Sequence, residues 1–411
     1  MLRQKTAWKE AAWVFLWSRL ALTIITWIGA MRFPLSGSTG VQSCAGDLSP
    51  CLFAWFHWDA IAYFNVATRG YSLMRDTVFF PLYPLLVHVV GVLFGGSDHA
   101  YYFAGLFVAN ACFYLALVMF YALVSDLFEA SVARNALFYL AFYAYAAFFF
   151  AGYTESLFLL LCLATFYFLR QGTTLDYWLA GLCGFLAALT RATGVMLVVP
   201  FLVVVLQRFW LPAAVITIFN RTFHLNSEGD QSIVGEMQSS LWRKINALLP
   251  VLLIPAGVLV YMLYLGLVKG NPLAFSTEEA VTWNRPFSLP WTGIVVAIHD
   301  LLTTSNLYIF NLLDLIFTLV PVIVLVLGWK HLPLHYNLFV LVMVLFSLSY
   351  PMGVAEPLSA APRYMMVVFP LFIILAFWSK EHPRFDRLYI ACTLPFFVIN
   401  AVLFISHYWV A

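Results

Sequence analysis

The chain has 411 residues, of which 63% are hydrophobic and 10% are charged. A soluble domain carries roughly 25% charged residues, so this composition excludes a soluble fold and predicts an all-α polytopic membrane protein. The net charge of +2 is too small for a nucleic-acid-binding protein. The abundant aromatic side chains are expected to form interfacial belts, and some of them to line a carbohydrate site.

The apolar stretches predict about eleven transmembrane helices. The basic segment MLRQKTAWKE precedes an apolar run of about 20 residues without a convincing cleavage site, which favours an uncleaved signal anchor. Segment 79–94 is also apolar, but it is short for a bilayer crossing and has Pro81 and Pro84 in its first turn, so we predict that it lies in the interface. We place the spans at 10–31, 100–125, 134–151, 155–170, 176–190, 194–210, 247–268, 307–329, 334–350, 364–379 and 388–408.

The distribution of Lys and Arg sets the predicted topology. With 79–94 in the interface, the loops on one side hold 13 of these residues and those on the other side hold 7, while Arg19 lies inside the first span. The positive-inside rule makes the first side cytoplasmic, with the N-terminus inside and the C-terminus outside. Cys44 and Cys51 then share an outer loop, where a disulfide is one of two open alternatives.

The segment 208–246 divides the predicted chain. Its mixed charge and aromatic residues predict a cytoplasmic amphipathic connector at the membrane surface. It separates an N-terminal catalytic module, 1–207, from a C-terminal transmembrane helical module, 247–411. The sequence contains no convincing internal repeat.

Residues 55–84, WFHWDAIAYFNVATRGYSLMRDTVFFPLYP, concentrate the candidate chemistry. The run 57–68 predicts a helix that ends before Gly70. Asp59 lies near its start, where the helix dipole favours a carboxylate that can act as a general base. The alternative is a capping aspartate at the membrane surface. The candidates here for binding the donor sugar or phosphate are His57, Trp58, Tyr63, Arg69 and Tyr83.

Further candidates lie on the predicted outer side. Glu155, in YTESLF, is either a second functional acid or a helix cap. Arg191, in TRATG, and Arg363, in APRY, lie at span ends on the side that disfavours cations, where they either snorkel to headgroups or bind a phosphate. The outer loop 275–291 supplies candidate acceptor or loop contacts, namely Glu278, Trp283 and Arg285.

The motifs HWDAIAYFNVATRGY, FFPLYPLL, YTESLF and LTRATG, in this order, resemble the PIG-V family, the GPI mannosyltransferase II group of the GT-C glycosyltransferases. The resemblance covers residues 10–210 and extends to 270–290 and 363–370. It implies a GT-C fold with interfacial helices in the first outer loop. It also implies an inverting transfer of mannose from a polyprenyl-phosphate donor.

The resemblance assigns roles as well as a fold. The family's catalytic aspartate falls on Asp59, its acid of the second outer loop on Glu155 and its basic turn residue on Arg191. No metal cofactor is expected, because the leaving group is a polyprenyl phosphate monoester whose charge fixed cations can meet. The expected partners are the lipid-linked donor, a glycolipid or other glycan acceptor and membrane lipid, with no nucleic acid. The expected location is the plasma membrane of a prokaryote or the ER membrane of a eukaryote, with an extracytoplasmic active site.

Two other functions remain open at this point. A secondary transporter or lipid flippase would also have many spans and interrupted helices. The absence of a repeat argues against it, and the single mid-span acid, Asp314, does not make a proton relay. The second alternative is a structural subunit of a glycosyltransferase complex.

Overall fold

The computed structural model describes residues 2–33, 49–222, 236, 238–303, 308–353 and 355–410. The regular structure of these residues is helical, and they contain no strand. The chain divides into two compact units: unit 1 comprises Met1–Leu160 and Leu375–Ala411, and unit 2 comprises Leu161–Ile374. The modules 1–207, 208–246 and 247–411 are divisions by role and remain a prediction.

The helices of the described residues follow in chain order, and short 3₁₀ segments connect several of them. They are α1 (Leu2–Arg32), α2 (Ser49–Phe53), α3 (Asp59–Arg69), α4 (Leu82–Leu93), α5 (Asp98–Leu127), α6 (Ala130–Ala141), α7 (Glu155–Gln171), α8 (Thr174–Thr190), α9 (Val198–Phe209), α10 (Ala213–Thr222), α11 (Leu241–Leu248), α12 (Leu253–Lys269), α13 (Ala274–Val281), α14 (Thr292–Leu302), α15 (Tyr308–Gly328), α16 (Leu334–Leu348), α17 (Ala361–Met365), α18 (Pro370–Glu381) and α19 (Pro383–Ile405).

Six helical stretches in the described part of the chain are long and apolar enough to cross a membrane. The predicted all-helical, membrane-type architecture is therefore confirmed, whereas the count of about eleven spans remains a prediction. α4 has 12 residues and at about 1.5 Å per residue is about 18 Å long, which supports its predicted place in the interface rather than across a core of about 30 Å. The six stretches are Lys5–Arg32, Asp98–Leu127, Ala192–Phe209, Leu241–Lys269, Asn311–His331 and Pro383–Ile405.

The predicted span 134–151 is not one continuous helix. α6 ends at Ala141, and the 3₁₀ segment Ala146–Phe149 that follows is buried throughout. Asparagine side chains bind carbonyls of the interruption: Asn110 Nδ2 donates to one at 2.9 Å and Asn400 Nδ2 to another at 3.0 Å. Non-helical backbone at membrane depth is tolerated where the protein itself supplies such partners. Tertiary contacts, which hydrophobic periodicity does not reveal, therefore permit the interruption.

Two contacts of α1 mark the two ends of unit 1. At one end Arg134 of α6 lies 3.8 Å from Glu10 of α1. Sixteen residues further along α1, the Thr26 hydroxyl accepts a hydrogen bond of 2.9 Å from the Trp55 indole, which belongs to the segment between α2 and α3. At about 1.5 Å per residue the two points lie about 24 Å apart along α1. The α2–α3 segment is therefore at the end of unit 1 remote from the Glu10–Arg134 pair.

Close helix packing positions the functional segments of unit 2. A Cβ atom at Gly184 would lie 2.5 Å from the side chain of Ile254, and one at Gly257 would lie 2.5 Å from the Phe185 carbonyl oxygen. Small residues allow backbones to approach this closely, so α12 lies directly against α8. This contact fixes the course of α8 up to Thr190, the residue before Arg191.

Two further predictions concern segments between the spans. The predicted connector 208–246 contains α10 and α11, while its residues 223–235 lie outside the described ones. Cys51 is disulfide-bonded, and its predicted partner, Cys44, lies outside the described residues. The cysteines Cys112, Cys162, Cys183 and Cys392 are free thiols.

Candidate active site

Asp59 is the first residue of α3, and an unusual turn places it there. Trp58 has a φ of 53°, a left-handed conformation that bulky residues rarely adopt. The carbonyls of His57 and Trp58 accept hydrogen bonds of 3.0 and 3.1 Å from amides in the first turn of α3. The helix ends before Gly70, whose φ is 66°, as predicted. Asp59 is half-buried, and the positive end of the helix dipole favours a negative charge at its position.

Three predicted motifs of unit 1 meet around Tyr63. Its hydroxyl lies 3.4 Å from Thr154 Oγ1, and its ring centroid lies 5.1 Å from that of Tyr83. The Tyr153 hydroxyl donates a hydrogen bond of 3.2 Å to the His57 carbonyl. The structure therefore brings HWDAIAYF, FFPLYP and YTESLF together within unit 1.

Glu155 is an interior carboxylate of this region. It begins α7 and is only 1% exposed, so its neighbours rather than bulk water provide its polar surroundings. Those neighbours include Thr154 and Ser156, both buried. The Ser156 hydroxyl donates a hydrogen bond of 3.1 Å to the Phe149 carbonyl, which ties the start of α7 to the preceding 3₁₀ segment.

The remaining candidates of unit 1 have contrasting surroundings. Trp58 and Arg69 are exposed. Tyr83 is fully buried, and its hydroxyl donates a hydrogen bond of 3.0 Å to the Gly105 carbonyl. This hydrogen bond gives Tyr83 a role in packing. Binding of the donor by Trp58, Arg69 or Tyr83 remains a prediction.

In unit 2, three arginines surround one tyrosine ring. The guanidinium carbons of Arg191, Arg363 and Arg285 lie 4.8, 5.5 and 5.8 Å from the ring centroid of Tyr364. Cation–π contacts of this kind contribute about 0.5–2 kcal/mol each, depending on desolvation. The arginines come from the end of α8, from α17 and from the loop after α13. We call Arg191, Arg285, Arg363 and Tyr364 the arginine cluster.

A tight turn places Arg191 in the cluster. Arg191 has an extended backbone where α8 ends, and its carbonyl accepts a hydrogen bond of 2.9 Å from the Gly194 amide. A Cβ atom at Gly194 would lie 2.4 Å from the backbone of Ala187. Glycine is therefore required for the turn to fold back on α8, which explains the spacing in TRATG.

Arg285 and Arg363 are 6% and 7% exposed. Arg285 Nη1 donates to the Tyr364 hydroxyl at 3.1 Å and Nη2 to the Ser359 carbonyl at 3.1 Å. Its Nε lies 3.9 Å from a carboxylate oxygen of Glu279. Burial of charge is costly unless the charge is hydrogen-bonded or meets an opposite charge, and these contacts stabilise the buried Arg285 guanidinium.

The loop that carries Arg285 is held by backbone contacts. Asn284 has a φ of 52°, and its carbonyl accepts a hydrogen bond of 2.8 Å from the Gly353 amide. The predicted outer loop 275–291 thus contains most of α13 and directs Arg285 inward. Glu278 accepts a hydrogen bond of 2.6 Å from the Thr282 hydroxyl on the exposed side, and Trp283 is half-buried.

Sequence reasoning missed Tyr364, although it follows Arg363 directly in APRY. The available signal was the aromatic residue beside an arginine at a span end, a pairing typical of cation–π contacts. The contact with two more arginines had no local signal. Among the residues that the structure describes, no group of three or more His, Cys, Asp or Glu side chains is arranged to hold a metal ion.

No family model matches the chain, and no curated protein sequence matches it. The structure is similar to the Archaeoglobus fulgidus oligosaccharyltransferase in complex with Zn and sulfate, with a TM-score of 0.43, 16% identity and coverage of 96% of this chain and 53% of that chain. The apo form of that protein gives a TM-score of 0.42, 14% identity and coverage of 97% and 56%. A third similar structure is the archaeal oligosaccharyltransferase AglB from Archaeoglobus fulgidus in complex with an inhibitory peptide and a dolichol-phosphate. Its TM-score is 0.40 and its sequence identity 13%, and the match covers 95% of this chain and 55% of that chain. The chain spans about half the length of these relatives, and TM-scores below 0.5 leave the functional argument to the residues themselves.

Proposed function

We propose that the chain is an inverting membrane glycosyltransferase of the GT-C type, which transfers a sugar from a polyprenyl-phosphate donor to a hydroxyl of an extracytoplasmic acceptor. Because the motifs resemble those of the PIG-V family, we infer that the sugar is mannose. The observation that carries the proposal is the arginine cluster, in which three guanidinium groups converge on one aromatic ring.

The charge balance of the reaction explains why such a cluster is useful. The donor is a phosphodiester with one negative charge, and the leaving polyprenyl phosphate monoester has two. The acceptor oxygen forms a bond to the anomeric carbon, the bond from that carbon to the phosphate oxygen breaks, and the bonding electrons leave with the phosphate. Guanidinium groups bind phosphate through strong, directed hydrogen bonds, and fixed cations stabilise the charge that develops in the transition state.

Asp59 is the proposed general base. Its carboxylate accepts the proton of the acceptor hydroxyl as the new bond forms, a role that contributes about 10²–10⁴-fold to a rate. Glu155 is the proposed second acid. The disulfide at Cys51, eight residues before Asp59, supports an extracytoplasmic location for this segment, because such bonds persist in oxidising compartments.

The test is transfer by the purified protein in lipid nanodiscs. Radiolabelled polyprenyl-phosphate mannose and polyprenyl-phosphate glucose are each supplied with a lipid extract as the source of acceptor. We expect label to move from the mannosyl donor to a new product, with unchanged rate in EDTA. Transfer from the glucosyl donor alone would correct the sugar and retain the reaction.

The decisive control separates donor binding from turnover. Arg363→Gln is expected to weaken binding of the donor, whereas Arg32→Gln, an exposed arginine at the end of α1, is expected to leave it unchanged. Absence of transfer from every polyprenyl-phosphate sugar, together with donor binding unaffected by Arg363→Gln, would contradict the proposed function.

A further inference from the structure

The residues that follow α19, Ser406–Val410, lie against the turn that precedes Asp59. The ring centroid of His407 is 3.6 Å from that of His57, and the Trp409 ring packs edge-on against Trp58 at 5.0 Å. Both contacts lie within unit 1. Two neighbouring residues of the turn are thus each contacted by a residue about 350 positions later in the chain.

The end of α19 extends this contact. Phe404 stacks on Trp55 at 5.4 Å and lies 6.0 Å from the His57 ring. Trp55 and Phe404 are 2% and 1% exposed. The base of the contact is therefore a closed aromatic core, and His407 and Trp409 continue it to the surface beside Asp59.

Both partners of the contact have strained backbones. Trp58 has a φ of 53° and His407 a φ of 66°, two of the four non-glycine residues with positive φ in the described chain. A bulky residue in this conformation costs about 1–3 kcal/mol and persists only where its surroundings hold it in place. Each of the two residues contacts the segment that carries the other, so the aromatic contacts are the surroundings that offset the strain.

The surroundings of the His57 ring favour its neutral form. Its Nε2 is buried and has no hydrogen-bond partner in the described structure, and burial disfavours the charged imidazolium. Burial, with a smaller contribution from His407, lowers the pKa of His57 to about 4, and burial also lowers the pKa of His407. The two rings pack as neutral groups at neutral pH.

Displacement of His57 has a direct path to Asp59. The His57 carbonyl accepts the hydrogen bond from the Ala60 amide that starts α3, and it also accepts one from the Tyr153 hydroxyl. Asp59 lies between His57 and Ala60 in the chain. A movement of the His57–Trp58 turn therefore moves the first turn of α3 and the carboxylate on it.

We propose that His407 and Trp409 are positioning residues that hold the Asp59 carboxylate in its reactive place through His57 and Trp58. The inference rests on the proposed function, in which Asp59 is the general base. A misplacement of about 1 Å at a catalytic group costs about a hundredfold in rate. His407 and Trp409 thus affect turnover without contacting the reacting atoms.

Three substitutions at one position separate the ring from the backbone. His407→Phe keeps an aromatic ring and removes both nitrogens, so it is expected to retain at least about half of kcat. His407→Ala and His407→Gly remove the ring, and Gly alone relieves the strain at positive φ. Both are expected to lower kcat about 10- to 100-fold with the KM for the donor within about twofold of wild type. Tyr408→Ala, at a side chain 42% exposed, is the control and should retain wild-type kcat.

Hydrogen exchange of peptides that cover residues 57–64 gives a second measurement, which does not depend on activity. The amides of Ala60 and Ile61 are expected to exchange faster in His407→Ala and His407→Gly, and at the wild-type rate in His407→Phe. Wild-type kcat and exchange in His407→Gly would overturn the inference, because the ring would then be dispensable. Inactive wild-type protein with altered exchange would refute the proposed function and the catalytic part of the inference, while the positioning of the turn would stand.

Discussion

The Asp59 turn and the arginine cluster reach their geometry in different ways. The turn is formed by consecutive residues, His57 to Ile61, with two hydrogen bonds at the start of α3, and residues from remote segments of unit 1, such as His407, pack against it. The cluster joins residues from the end of α8, the loop after α13 and α17, three segments that are far apart in the sequence. Only Arg363 and Tyr364 are neighbours in the chain. The turn carries an acid at a helix start, and the cluster concentrates cations. We therefore expect the turn to govern turnover and the cluster to govern donor binding.

The largest expected effect comes from Asp59→Asn. The substitution keeps the shape of the side chain and removes its capacity as a base, so kcat should fall at least about a hundredfold while donor affinity changes little. Transfer kinetics and equilibrium donor binding measure the two quantities. Asp98→Asn, the same change at the exposed first residue of α5, is the matched control. Near-normal turnover in Asp59→Asn would remove Asp59 from the proposed role.

The next effect tests the other region. Arg363→Gln leaves the donor phosphate with one charged partner fewer, and a hydrogen bond to a charged group is worth about 1.5–3 kcal/mol. Donor affinity is therefore expected to fall about 10- to 100-fold, measured by binding of the labelled donor to protein in nanodiscs. Arg363→Lys keeps the charge without the planar fork and should give an intermediate loss. Equal affinity in all three proteins would show that the cluster is structural.

The two regions are also expected to differ in their response to acid. Arginine stays charged across the usual pH range, whereas the pKa of His57 lies at about 4 in the folded protein, below its ordinary value of 6.5. The unfolded chain therefore binds the proton first as the pH falls. The free energy of unfolding is expected to decrease as the pH falls from 6.5 to about 4, and to level off below pH 4. At 1.36 kcal/mol per pKa unit, the decrease is at most about 3 kcal/mol.

Melting temperatures of the detergent-solubilised protein across this pH range measure the decrease. The decrease should be smaller in His57→Gln than in wild type. It should be unchanged in His99→Gln, at an exposed histidine of α5. His407 contributes with the same sign because burial lowers its pKa too. An identical pH profile in wild type and His57→Gln would show that the imidazole is not held in its neutral form by the fold.

The same contrast explains how much of the molecule the sequence predicts. Helix α3 and its end before Gly70 follow from local signals, an acid near the helix start and a glycine at its end. The left-handed turn at Trp58, because of which α3 begins at Asp59 rather than at residue 57, does not follow from them. The interruption after α6 does not, because Asn110 and Asn400 supply its hydrogen bonds from distant helices. His407 and Trp409 were missed for the same reason. Contacts between remote segments leave no periodic trace in a single sequence.

The arginine cluster is an intermediate case. Arg191 and Arg363 were predictable as a pair, because cations at span ends on the side that disfavours them require a reason. Arg285 appeared only as a loop residue, since the inward course of its loop depends on the Asn284–Gly353 backbone contact. Composition identifies the membrane class, and local motifs identify single candidates, but the grouping of the three arginines depends on packing.

The smallest expected effect concerns the centre of the cluster. Tyr364→Phe keeps the ring under the three guanidinium groups and removes only the hydroxyl that accepts from Arg285 Nη1. A hydrogen bond with a charged partner in partly buried surroundings is worth about 1.5–3 kcal/mol at most, and Arg285 keeps its bond to the Ser359 carbonyl, so donor affinity should fall only a few-fold. Tyr364→Leu also removes the cation–π contacts and should cost more. If both variants lost affinity equally, the hydroxyl rather than the aromatic face would be the feature that organises the arginines.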